Sequence, residues 1–186
     1  MTKNIYILAM TFFTIQMGIV NAQSYMLDVS TSRLQWTGYA EAGGYSQSGT
    51  LRYQSGNVSI VKGEISNFTI AVDMTSLMHE NKELEGHLKQ NDFFFVSKYP
   101  IAQLKFIEKK KTICIVEVTI RGKTEQVEIT LNLKKLKEGY LVKGKMKLDR
   151  TKFDIKYNSS SYFQDLGNYA IKNDFDLEYE LFFKKM

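Results

Sequence analysis

The chain has 186 residues, 44% of them hydrophobic and 13% aromatic, and it carries 25 basic against 20 acidic side chains. That length and apolar content suit one folded domain and exclude a disordered linker, a fibre or a repeat array. One cysteine and two histidines are too few for a zinc finger or a three-histidine metal site.

The N-terminus sets Lys3 ahead of an apolar run from Ile5 to Val20, interrupted by Thr11, Thr14 and Gln16. A basic start, a short apolar centre and the small pair Val20-x-Ala22 predict a secretory signal peptide over residues 1–22, cut after Ala22. The run is shorter than the roughly 20 apolar residues a membrane-spanning helix needs. An exported protein, periplasmic or secreted, follows, and export makes nucleic acid an unsuitable partner. Cleavage removes only Lys3 among the charges, so 24 basic and 20 acidic residues remain, net +4. Such an excess predicts a weak, transient attraction to an anionic membrane surface. Cys114, alone in the chain and set in Ile113-Cys114-Ile115-Val116, reads as a buried small hydrophobe.

From residue 25 onward most segments alternate apolar and polar residues with the period of a half-buried strand. Phe68, Ile70, Val72 and Met74 share one face, as do Val116, Val118 and Ile120. Arg121-Gly122-Lys123-Thr124 reads as a turn into a strand whose apolar face holds Val127, Ile129, Leu131 and Leu133. Val142, Gly144, Met146 and Leu148 form another dry face, and Phe175, Leu177, Tyr179 and Leu181 a last one.

Between Met78 and Val96 the period changes, and Leu84, Leu88 and Phe95 fall near one stripe of a short helix that Gly86 weakens and Tyr99-Pro100 stops. A weaker helix or loop is expected over 159–166. Strands with one wet and one dry face and no long helices between them predict antiparallel pairing. Periodicity leaves a two-sheet sandwich and a closed barrel both open.

Several blocks then resemble one family. Asp73-Met74-Thr75-Ser76-Leu77, Leu84-Glu85-Gly86-His87-Leu88-Lys89 with Asp92-Phe93-Phe94, and Lys98-Tyr99-Pro100 are similar to the central block of the YceI-like family. Val118 to Thr124, Asp149-Arg150-x-x-Phe153, and Leu166-Gly167-x-x-Ala170-Ile171 with Asp174-Phe175 follow in the family's order. The resemblance covers residues 25 to 182 and implies an all-β fold, an extended antiparallel lipocalin-like β-barrel with one or two short helices, over a domain of residues 23–186. It also implies an interior that holds an isoprenoid or similar amphiphilic lipid lengthwise, with no cofactor, and it leaves room for a homodimer. The chain departs from the family at Gln47, at Leu104 and Phe106 after Pro100, and at Asp154, where a glycine is common.

On that reading the dry strand faces become barrel lining. Phe68, Ile70 and Val72 contribute first, then Leu104 and Phe106, then Val118 and Ile120. Val127 and Ile129, Val142 and Met146, and Phe175 and Leu177 complete the wall. Phe93 and Phe153 lie near its end, and Phe93, Phe94 and Phe95 read as a plug over it. His87, Asp92 and Arg150 are the polar candidates. His87 reads as a capping or hydrogen-bonded histidine, and Arg150 either locks a strand end or meets a ligand head group.

No Gly-x-Ser-x-Gly elbow or His-Glu-x-x-His motif occurs in the sequence, so an enzyme is not expected. The expected function is carriage or storage of a lipid, or a stress role. The alternative is a barrel without a stable ligand that acts through its surface. A contiguous apolar tunnel would favour the first, and an interior filled by its own aromatics the second.

Overall fold

The computed structural model describes residues 22–185, so the predicted signal peptide over 1–22 lies, but for Ala22, outside the described residues. Among the described residues, ten antiparallel strands make one sheet: β1 (Gln23–Leu27), β2 (Arg33–Ala40), β3 (Ser46–Val61), β4 (Glu64–Met78), β5 (Ile101–Lys110), β6 (Ile113–Ile120), β7 (Lys123–Thr130), β8 (Asn132–Leu136), β9 (Gly139–Asp149) and β10 (Ile171–Lys185). The order is β7-β6-β5-β4-β3-β1-β10-β9-β8, and β2 continues the β1 row between β3 and β10.

With no second sheet among the described residues to cover it, the dry face closes on itself, and the fold is a β-barrel. The chain makes the closure. β7 pairs with β6 and β8 pairs with β9, and Leu131 alone separates them, so one continuous segment joins both ends of the sheet. The sequence pattern reads 127–134 as a single strand. The structure splits it at Leu131, because its first half must hydrogen-bond β6 and its second half β9. The interior parity survives the bend.

Two-residue turns set several registers. Lys62-Gly63 and Arg121-Gly122 have both residues at positive φ, the backbone that matches the twist of the flanking strands. The predicted turn over 121–124 therefore shrinks to 121–122, and Lys123 and Thr124 already belong to β7. On the outer face, Lys143 pairs with Glu180 at 2.6 Å, Lys145 with Glu178, and Lys147 lies opposite Asp176. Exposed pairs like these add little stability but oppose a slipped register.

The expected helix is shorter than its stripe suggested. Helix α1 (Lys82–Leu88) begins at Asn81, whose side chain accepts from the Glu83 and Leu84 backbone N–H groups, and it stops before Phe95. Phe95 sits at φ 48° and turns toward Tyr99 instead. No α-helix forms over 159–166, and the irregular segment there ends in a single 3₁₀ turn, Gly167–Tyr169. Another such turn, Arg150–Phe153, follows β9. Cys114 is buried, and burial raises its thiol pKa.

Gly139 opens β9 at φ 154°, where a Cβ would lie 1.8 Å from the Phe183 carbonyl oxygen. At Gly63 the φ is also positive, at 83°, but the space is open. Gly63→Ala is therefore expected to cost about 1–2 kcal/mol, the usual left-handed penalty. Gly139→Ala should lower the urea unfolding midpoint much further, because its clash is with backbone. Equal midpoints for the two variants would contradict this packing.

Candidate functional site

The barrel encloses an elongated cavity of about 300 Å³. Its wall runs from Val58, Leu181 and Phe183, deep in the barrel, to Tyr45, Gln47, Asn168 and Tyr169 at an open end. On β10 the lining extends from Ile171 to Phe183, about 40 Å of strand at roughly 3.3 Å per residue. The space is long and apolar.

Most of the sequence-predicted lining faces this cavity. Phe68, Ile70 and Val72 of β4, Leu104 of β5, and Val118 and Ile120 of β6 lie on it. So do Val142 and Met146 of β9, Phe175 and Leu177 of β10, and Phe93. Four residues do not. Phe106 rests on Phe68 at 5.6 Å, Val127 lies opposite Val116, and Ile129 and Phe153 are buried among core side chains. In that sector of the barrel the side chains fill the interior themselves. The predicted aromatic plug is divided: Phe93 and Phe94 reach the cavity, and Phe95 does not.

The sequence pattern did not single out β2 or the first half of β3, yet Leu34 and Trp36 of β2, and Leu51 and Tyr53 of β3, line the wall. A register shift between Tyr53 and Ser55 moves the inward-facing positions of β3 from half-buried Leu51 and buried Tyr53 to Val58 and Ile60. That change of phase blurs the alternation. The short period from Leu34 to Trp36 was the available signal.

The polar candidates gather near the open end. Arg150 is 2% exposed and has no carboxylate partner among the described ion pairs. Its guanidinium donates from Nε to the Lys172 carbonyl (3.0 Å), from Nη1 to that of Ile155 (2.9 Å) and from Nη2 to that of Ile171 (2.9 Å). It thereby ties the start of β10 to the loop after β9, while its plane lies 5.9 Å from the Phe93 ring. Burial lowers its pKa. The strand-locking role is thus realised, and the group still borders the cavity.

His87, on α1, also borders it, stacking edge-on against Tyr157 at 4.6 Å. Its Nε2 meets Asp92 Oδ2 at 3.0 Å, and Asp92 itself is exposed and off the cavity wall. Among the described residues neither His79 nor His87 hydrogen-bonds a serine, threonine or cysteine side chain.

Glu85 holds α1 in place. Its carboxylate accepts from the His79 backbone N–H at 3.0 Å, from Lys82 at 2.8 Å and from Lys89 at 3.1 Å. The lysine bonds, led by Lys82, and the backbone N–H lower its pKa to about 2.

Three further donors are buried without a partner among the described residues: Arg121 Nε, away from the cavity, and the pair Trp36 Nε1 and Tyr179 Oη. Both residues line the cavity, and burial pushes the Tyr179 phenol up to about 12. An unpaired buried donor costs about 1–3 kcal/mol.

A closed antiparallel barrel around an apolar, open-ended cavity with a few polar groups at its mouth defines a lipocalin-like ligand-enclosing barrel. The YceI-like domain model matches residues 25–183, and the chain belongs to that family. At Asp154, where the chain departs from the family pattern, the backbone adopts φ 62° and the side chain pairs with Arg121 and Lys156.

Solved structures share the fold. BcnA of Burkholderia cenocepacia is 14% identical at TM-score 0.68, over 83% of this chain and 98% of that one. A polyisoprenoid binding domain from Saccharophagus degradans, implicated in plant cell wall breakdown, is 12% identical at TM-score 0.68, over 88% and 99%. A Campylobacter jejuni YceI protein is 21% identical at TM-score 0.51, over 66% and 75%. No curated protein sequence matches the chain.

Arg150→Met would leave three backbone carbonyls without their donor, at about 1–3 kcal/mol each before relaxation. The expected loss in urea unfolding free energy is about 2–4 kcal/mol, and a neutral outcome would refute the locking role. Glu85 titrates lower in the folded than in the unfolded chain. Its stabilisation is therefore present above about pH 4.5 and lost as pH falls toward 2. Glu85→Gln should lower stability at pH 7 and flatten the acid limb of the urea midpoint between these values.

Proposed function

We propose that the protein is exported, with the segment before residue 23 removed, and that it carries or stores an isoprenoid-like or other long amphiphilic chain in the barrel without performing chemistry. The observation that carries this reading is the cavity itself: elongated, apolar and open at one end, with a volume at the lower end of the roughly 300–1,000 Å³ typical of ligand sites. A barrel acting only through its surface would gain from filling that space with side chains.

Membership of the YceI-like family and the likeness to a polyisoprenoid binding domain support the choice of ligand class. The tail lies along β10 and β4, and the head group lies at the open end near Arg150 and His87. Each buried methylene contributes about 0.8 kcal/mol, so even a modest tail binds firmly. Exchange with a membrane is then the step that needs help. Residues 23–186 act as one domain, and the compartment is the periplasm or the exterior.

Trp36, the single tryptophan of the chain, lines the cavity, so its emission reports occupancy. Titration with a polyprenol should give a saturable change in emission, and mass spectrometry of a solvent extract of the protein purified from an exporting bacterium should recover a long-chain lipid. An empty extract together with a flat titration would overturn the carrier reading.

A further inference from the structure

We propose that the open end of the barrel is a membrane-docking face, with Tyr45, Tyr162, Phe163 and Tyr169 seated in the interfacial layer of a bilayer. The proposal rests on the carrier reading and adds where, and by what force, the protein meets its lipid source. These aromatics are 74%, 51%, 49% and 79% exposed. Single exposed apolar residues are ordinary, but these four come from two segments that meet at one opening. Tyr45 and Tyr169 line the cavity mouth itself. The β2–β3 turn that carries Tyr45 is fixed to the segment that carries the other three. Ser160 Oγ donates to Glu41 Oε1 at 2.7 Å, and the Glu41 N–H donates to the Ala170 carbonyl at 2.9 Å.

Tyrosine and phenylalanine with both an apolar body and access to water suit the headgroup layer. A bilayer is the occupant that fits, because Tyr45 and Tyr169 carry exposed aromatic surface from the rim to the mouth of a mostly apolar cavity. A lipid tail can then pass from the membrane into the barrel at this opening. Lys156 lies 4.9 Å over the Tyr162 ring and is itself neutralised by Asp154 at 2.9 Å.

Charge does not drive this docking. The connections at the mouth end, residues 41–45, 79–100, 121–122 and 150–170, hold seven basic and seven acidic side chains. At the opposite end, residues 61–64, 108–113, 134–139 and 184–185 hold nine lysines against Glu64, Glu108 and Glu138. The positive excess of the chain therefore sits away from the opening, and a purely electrostatic attraction would point the mouth away from an anionic membrane. Apolar insertion is the force that brings the mouth to the bilayer.

The test uses the mature chain and phosphatidylcholine vesicles in a sedimentation assay. The wild-type protein should partition onto these neutral vesicles and change little between low salt and about 0.5 M salt, since screening acts on charge and not on apolar burial. Tyr162 and Phe163 do not line the cavity, so Y162S/F163S should bind vesicles about tenfold more weakly. The same variant should keep an unchanged Trp36 titration with polyprenol added from solvent. K109E/K111E/K137E should bind neutral vesicles like wild type. Wild-type binding that is absent, or that requires anionic lipid and disappears with salt, overturns the proposal. Undiminished binding by Y162S/F163S also overturns it. A flat Trp36 titration in the wild type instead marks failure of the carrier reading.

Discussion

A sheet with one apolar face and no second layer must curl until that face covers itself, and here the curl depends on the bend at Leu131. Residues 123–130 complete the β6 ladder and residues 132–136 complete the upper part of β9, so the chain spans the seam that hydrogen bonds alone do not close. The β1–β2 row does the converse on the other side, two short strands sharing the long edges of β3 and β10. Once closed, the barrel has a fixed perimeter. Its interior volume is then set by side-chain size, and the sectors differ: Phe106, Val127, Ile129 and Phe153 belong to a packed region, while β2, β4, β9 and β10 border open space.

Polar groups at the mouth hold that open space in shape. A guanidinium buried without a carboxylate is costly unless its donors are used, and Arg150 spends them on three backbone carbonyls. The loop after β9 and the first residues of β10 are thereby held together where the cavity opens. Glu85 does the equivalent for α1, joining His79, just past the end of β4, to Lys82 of the helix and to Lys89 at its C-cap. Arg150 therefore both borders the cavity and helps define its opening.

The distribution of charge separates two surfaces that the net value merges. A balanced, aromatic mouth and a lysine-rich far end give the barrel a polarity along its axis. The lysine excess of the chain lies opposite the cavity mouth.

The strands with clean alternation, Phe68 to Met74, Val116 to Ile120, Val142 to Leu148 and Phe175 to Leu181, were legible because each keeps one parity against a single dry interior. β2 and the first half of β3 were not, since a bulge changes the phase of β3 and polar residues dominate its exposed face. The helix was legible through Leu84 and Leu88 but not in its end, because the left-handed turn at Phe95 is a backbone event with no periodic signature. The sequence by itself determined the all-β class, the antiparallel pairing, the burial of Cys114 and, through six ordered motifs, the family. Tertiary structure alone decided closure at Leu131, which inward-facing residues border a cavity and which pack it, and on which end the lysines collect. These depend on neighbours far apart in the chain, and a two-residue period records only which side of the sheet a residue faces.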